Sequence, residues 1–169
     1  MSREEALALV RKLVDAAHRR DISRLMDAYA YEAVAVSPVF GEVRGRTAIA
    51  ATWETLFSTL ADIAIEVSDV LVDGDRIAVL STIATTVRIG WFGRSASGGP
   101  ISYRLVLLLT VAGGKIVHDE RIYDNTGVLE CLEKARLDKE LRTAGAVQRA
   151  LLSRVMFTDG VTEARKRGR

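Results

Sequence analysis

The sequence predicts an α+β domain: helices first, then a mostly antiparallel sheet, then a C-terminal helix. Three observations carry this. Apolar residues recur every three or four positions early on, at Leu7, Val10, Leu13, Val14 and Ala17 and again at Ile49, Trp53, Leu56, Phe57 and Leu60. From Asp62 onward the period drops to two, through Ile63, Ile65 and Val67. Two turn signals, Asp73-Gly74-Asp75 and Gly113-Gly114, then separate runs rich in Val, Ile, Leu and Thr.

Taken in order, Ser2 and Glu5 form a capping box for an amphipathic helix over roughly 3–19. Asp21 caps a short second helix running through Leu25, Met26 and Tyr29. Val34-Ala35-Val36 reads as a short strand stopped by Pro38, and Gly41 to Gly45 as a turn. A helix starts at Thr47. The strand from Asp62 reaches Val72, and a long one follows from Arg76 to Ile89 with both faces fairly apolar. Gly90 to Pro100 is a glycine-rich loop carrying Trp91 and Phe92, a lid, a partner contact or two rings tucked onto the rim. An apolar strand spans Ile101 to Val111, and a charged strand follows the turn. Asn125 or Thr126 starts the last helix. Leu137, Leu141, Ala144, Gln148, Leu151 and Val155 continue it at alternating spacings of four and three, the seam of a coiled coil.

Composition narrows the function classes. The chain has 169 residues with 49% hydrophobic and 27% charged, enough for one domain with a core. No apolar run approaches the ~18 residues of a membrane span, and the acidic N-terminus is unlike a signal peptide. Cys131 is the only cysteine, so no internal disulfide forms, and a cytoplasmic protein without a membrane partner is expected. The net charge of +2 belongs to the end: Arg165, Lys166, Arg167 and Arg169 are four of 24 basic residues, and the other 20 face 22 acidic ones. A terminal basic run is a solvated end more often than a phosphate-binding one, so no nucleic-acid partner is expected. No metal-ligand spacing, phosphate loop or Ser–His–Asp order occurs, so no metal or other cofactor is expected.

The strand after Gly114 carries the chemistry. Alternation puts Val117, Asp119, Arg121 and Tyr123 on one face, and His118, Glu120 and Ile122 on the other. Asp119 and Arg121 lie two apart, with Cα atoms roughly 6.6 Å apart, so their side chains can meet. Three readings of the pair stand open. Asp119 is a general acid or base with Arg121 orienting a ligand anion or carbonyl; the pair binds a ligand without chemistry; or it is a buried ion pair holding the strand in register. Tyr123 either donates to a ligand or caps the core. Trp53 is core with an edge available to a pocket.

In their order and spacing, several pieces resemble the SnoaL-like branch of the nuclear transport factor 2-like (cystatin-like, ketosteroid-isomerase-like) superfamily. They are Arg20-Asp21-Ile22, Val36-Ser37-Pro38, Gly45-Arg46-Thr47-Ala48-Ile49, Gly114-Lys115-Ile116-Val117, Arg121-Ile122-Tyr123-Asp124 and Thr126-Gly127-Val128-Leu129, within residues 2–133. The resemblance implies a curved sheet wrapped around the helices, a conical pocket and a homodimer. It places Leu13, Ser37 and Val106 where ketosteroid isomerase carries its tyrosine and two aspartates, so that chemistry is absent. It also places Asp119, Arg121 and Tyr123 on the pocket wall. A dimer is expected through outer sheet faces bearing Ile77, Val79, Ile83 and Val87 beside Tyr103, Leu105, Leu107 and Leu109.

A second, shorter resemblance lies in residues 137–152 and in Phe157-Thr158-Asp159-Gly160-Val161-Thr162-Glu163-Ala164-Arg165. These look like separate parts of serine phosphatases of the sporulation stage II protein E type, which implies a truncated remnant. The expected division is a pocket domain at 1–133, a helical extension at 134–156 and a flexible basic tail at 157–169. The expected function is binding of a small, largely apolar molecule. The alternative is an acid–base enzyme of isomerase, cyclase or hydrolase type using Asp119 and Arg121. The expected ligand contacts are Tyr123, Trp53, Leu13, Ser37 and Val106.

Overall fold

The computed structural model of the chain describes residues 1–88, 90 and 98–166, with 148–166 described as backbone alone. Trp91 and Phe92 lie outside the described residues. So do residues 167–169 and the side chains of Gln148, Leu151 and Val155.

Sequence rules build the first elements. Helix α1 (Arg3–His18) starts on the capping box: Glu5 N–H donates to Ser2 Oγ at 3.2 Å and Ser2 N–H to Glu5 Oε2 at 2.7 Å. It ends in a Schellman turn, with Asp21 N–H on the Ala16 carbonyl, Arg20 N–H on that of Ala17, and Arg20 itself at φ 56°. Asp21 caps α2 (Ile22–Asp27), accepting from Arg24 N–H at 3.0 Å. Two strands follow, β1 (Tyr29–Ser37) and β2 (Gly41–Arg44), then α3 (Arg46–Thr59). The long strands are β3 (Leu60–Asp73), β4 (Arg76–Val87), β5 (Pro100–Ala112) and β6 (Lys115–Ile122). Helix α4 (Asn125–Lys166) runs unbroken past positions 133 and 156.

The fold is α+β, as expected. All six strands form one sheet in the order β2-β1-β6-β5-β4-β3, antiparallel except where β1 runs parallel to β6. The helices α1, α2 and α3 pack on one face, burying Leu25, Ile49, Ile77, Leu109 and Ile116 completely. Each such side chain stabilises the fold by roughly 1.5–3 kcal/mol. The first turns of α4 close the sheet's other end, where Val128, Leu132 and Ala135 meet Leu60, Val87 and Ile101. Beyond that contact Leu137 and Leu141 are exposed.

Several expectations need correction. Gly41–Arg44 forms the strand β2 rather than a turn, and Leu60 opens β3 rather than lying on α3. The second helix stops at Asp27, and Tyr29 opens β1 instead. The row Ile77, Val79, Ile83 and Val87 is interior, not an outer patch: all four are buried, and Tyr103, Leu105 and Leu107 line an internal cavity. Register explains it. Ile77 pairs with Leu109 and Val79 with Leu107, while Leu109 pairs with Asp119 and Leu107 with Arg121. Directly opposite residues share a face, so this row and Asp119 face the same way.

Candidate functional site

The cavity lies between the helices and the inner face of the sheet and measures about 120 Å³. Helix α1 supplies Val10, Leu13, Val14 and Ala17; α3 supplies Trp53 and Leu56. The strands add Ile63, Ile65, Val67, Val79, Ile83, Leu105 and Leu107, and Tyr103 and Tyr123 stand at one side with ring centroids 5.5 Å apart. Among the described lining residues only Asp119 and Arg121 are charged. The spacing rule of the last strand therefore holds: β6 sends both inward, and Tyr123 just beyond it also lines the cavity.

Asp119 is fully buried. Its Oδ2 accepts from the Tyr29 hydroxyl at 2.6 Å and from Arg121 Nη2 at 3.0 Å. Among the described residues its Oδ1 has no hydrogen-bond partner, and neither does Trp53 Nε1. The Arg121 guanidinium lies 4.8 Å from the centroid of the Trp53 ring, a cation–π contact that stacks the indole on the ion pair. A buried polar atom without a partner costs about 1–3 kcal/mol.

The electrostatics follow from this packing. Burial alone would lower Arg121, but the Asp119 carboxylate and Tyr29 beside it outweigh that and hold it above its ordinary value. Burial pushes the Tyr29 hydroxyl up, and the Asp119 charge pushes it further. Burial also raises Tyr103, with Tyr123 adding to it, and raises Tyr123 to about 12 against the pull of Arg121. All these groups therefore keep their neutral-pH charge states, and the tyrosines act as neutral donors.

The other expected contacts divide. Leu13, Trp53 and Ser37 line the cavity, and Ser37 Oγ accepts the Phe40 N–H at 3.2 Å. Val106 does not line it. Val106 pairs with Leu80 and Ile122 and so sits on the opposite face, between the inward Leu105 and Leu107. Tyr29 was missed by sequence reasoning. Sequence spacing places Tyr29 on the second helix and begins the strand at Val34, which leaves Tyr29 off the sheet, although its parity matches the buried Ala33, Ala35 and Ser37 of β1.

Among the described residues no group of three or more His, Cys, Asp or Glu is placed to hold a metal ion. No helix among the described residues is long and apolar enough to cross a membrane.

Residues 10–119 match the family model for the SnoaL-like domain. No curated protein matches the chain. Among solved structures, TsrD from Streptomyces laurentii is similar at 21% identity and TM-score 0.71, covering 78% of this chain and 97% of its own. AclR, a candidate hydroxylase from Streptomyces galilaeus, is similar at 26% identity and TM-score 0.68, covering 79% and 98%. A protein with the ketosteroid isomerase-like fold from Catenulispora acidiphila, in complex with trimethylamine, is similar at 16% identity and TM-score 0.64, covering 74% and 92%. None of these comparisons supports the phosphatase resemblance of residues 137–165. The match over residues 10–119, on a sheet that wraps an internal cavity around Asp119, means that the chain belongs to the SnoaL-like domain family.

Proposed function

We propose that the domain binds a small, largely apolar molecule in the cavity, with Asp119 and Arg121 as its polar anchor and Tyr123, Trp53, Leu13 and Ser37 among its walls. One observation carries this reading: an apolar cavity whose only charged lining residues, among those described, form a single ion pair. Apolar walls with a few converging polar groups are what small-molecule sites require. The ligand-bearing structure of similar fold lends it support.

A second reading is an acid–base enzyme acting on a small organic substrate through Asp119 and Arg121. The unpartnered Asp119 Oδ1 favours it, because a carboxylate oxygen with an unused lone pair can take a proton. Substitution separates the two. If Asp119 is catalytic, Asp119→Asn abolishes turnover and leaves ligand affinity within about tenfold. If the pair only binds, Arg121→Ala weakens a ligand that accepts hydrogen bonds, and no turnover is found to lose. Unchanged affinity in both variants would remove the site altogether.

Three further proposals accompany the binding reading. The chain forms a homodimer through its outer sheet face. Residues 134–156 act as a helical extension to the pocket domain, and removal of residues 157–169 leaves the domain folded. The protein resides in the cytoplasm, which its lone cysteine fits; recovery from an oxidising compartment would contradict that.

A further inference from the structure

Helix α4 backs one end of the cavity without entering it. No described α4 side chain lines the cavity. The buried ones, Val128, Leu132 and Ala135, form a cluster with Leu60, Val87 and Ile101. Leu60 belongs to that cluster and also lines the cavity; Val39, Leu56, Ile63, Tyr103 and Tyr123 pack on the cluster and line the cavity too. These shared side chains are the seat of α4 on one side and the wall of the cavity on the other. A close-packed layer one side chain thick passes a shift from face to face.

The seat is small. Val128 to Ala135 spans about two helical turns, and the other described α4 side chains are not buried. Elements held by few buried contacts open before the rest of a domain. From Arg136 the helix runs on to Lys166, roughly 45 Å further at about 1.5 Å per residue. Leu137, Leu141 and Val147 are exposed along it. How α4 sits on its seat therefore sets where that stretch points.

We propose that the domain is a ligand sensor: occupancy of the cavity holds α4 on its seat, and release of α4 is the output. The proposal rests on the binding reading above. A molecule that fits the cavity fixes the rotamers of the shared layer, so seating α4 then orders less. The coupling is reciprocal, and a change that loosens α4 weakens the ligand.

Cys131, the only cysteine, reports on the seat. It lies on α4 between Val128 and Leu132, half-buried, with Sγ 3.8 Å from the Ser102 carbonyl oxygen on β5. Its alkylation by N-ethylmaleimide is timed by mass spectrometry on the full chain, with and without benzene. Benzene suits the test because an apolar cavity of roughly 150 Å³ holds it and this one is about 120 Å³. Glutathione in the same solutions controls for the reagent, and ligand-observed NMR shows whether benzene is bound. Bound benzene is expected to slow alkylation about threefold or more. Opening at Cys131 should exceed that read from hydrogen exchange of the amide of Leu109, which is fully buried in the sheet. Leu132→Ala, at a side chain that does not line the cavity, should speed alkylation and weaken benzene about threefold or more. The coupling is overturned, with the pocket reading left in place, by bound benzene that leaves the rate unchanged, by opening no greater at Cys131 than at Leu109, or by unchanged benzene affinity in Leu132→Ala. If benzene is not bound, the pocket reading falls and the coupling with it. Should Leu132→Ala fail to fold, the measurements on the unaltered chain still decide.

Discussion

Asp119 sits in the interior with one cation and one hydroxyl on a single oxygen, so the stability of this corner depends on keeping all three together. Arg121→Ala leaves a carboxylate buried without its counter-charge, and a loss of about 3–5 kcal/mol is expected by chemical denaturation. Tyr29→Phe removes a 2.6 Å bond to a charged acceptor and should cost about 1.5–3 kcal/mol. A cost below about 0.5 kcal/mol for both would mean that the pair is solvated in solution. The tyrosines give a pH signature. Tyr29, Tyr103 and Tyr123 are all raised when folded, chiefly by burial. Their protonated forms therefore favour the fold fully below the unfolded value of about 10, and that stability is lost as pH rises through the folded values. Absorbance titration should show three of the four tyrosines ionising only as the chain unfolds; early ionisation of all four would contradict their burial. At this scale Asp119, Arg121 and Tyr123 were legible because β6 alternates regularly from His118 to Ile122, past the register shift at Val117. Tyr29 was not, because apolar spacing extends the second helix over it and its partner lies 90 residues away in sequence.

Between residues and the whole, the elements are held by terminal contacts that sequence spacing does not reveal. Arg20 ends α1 in the left-handed region at φ 56°, a place where glycine is the easy choice. Its side chain shows why arginine stands there. Nη1 donates to the Phe57 carbonyl at 2.9 Å, Nη2 donates to the Leu60 carbonyl, and the guanidinium lies 5.4 Å from the Phe57 ring centroid. A cation thus takes up carbonyls left over at the end of α3 and favours that helix's negative pole. Arg20→Ala should cost about 1–3 kcal/mol, since it loses the bonds and keeps the strained φ. Arg20→Gly should be more stable than Arg20→Ala by about 1 kcal/mol, because only the bonds are lost. An alanine variant as stable as the original chain would deny Arg20 this role. The capping box and the period of α1 made its limits readable within a residue or two. The inward face of β4 and β5 was not readable, because both rows of each strand are apolar and only pairing with β6 distinguishes them.

At the scale of the molecule, the corrected register moves the expected dimer contact to the other row. Cross-strand pairs place Leu80, Val106 and Ile122 together on the outer face, with Leu108 opposite Ala78 and Glu120 alongside. Ile122 is 46% exposed and Leu71, opposite Ala78 at the neighbouring strand, is 55% exposed. Helices cover the inner face, and no described element packs across these outer residues. An apolar strip along the middle of a long sheet is large enough to contribute to an interface of the usual size, roughly 800 Å² per partner. Sedimentation at micromolar concentration should therefore give about twice the 18.5 kDa of one chain. Leu108→Arg places a charge in the middle of the strip, on a side chain that does not line the cavity, and should yield a monomer with unchanged circular dichroism. The exposed Leu137 and Leu141 of α4 offer a competing route to a dimer through a coiled coil. Ending the chain after residue 136 separates the two, because Ala135 and its packing on Ile101 are kept while that seam is removed. A truncated chain that still dimerises, and loses the dimer with Leu108→Arg, assigns the contact to the sheet. A full chain that sediments near 18.5 kDa, or a dimer indifferent to Leu108→Arg, would refute the outer-face interface.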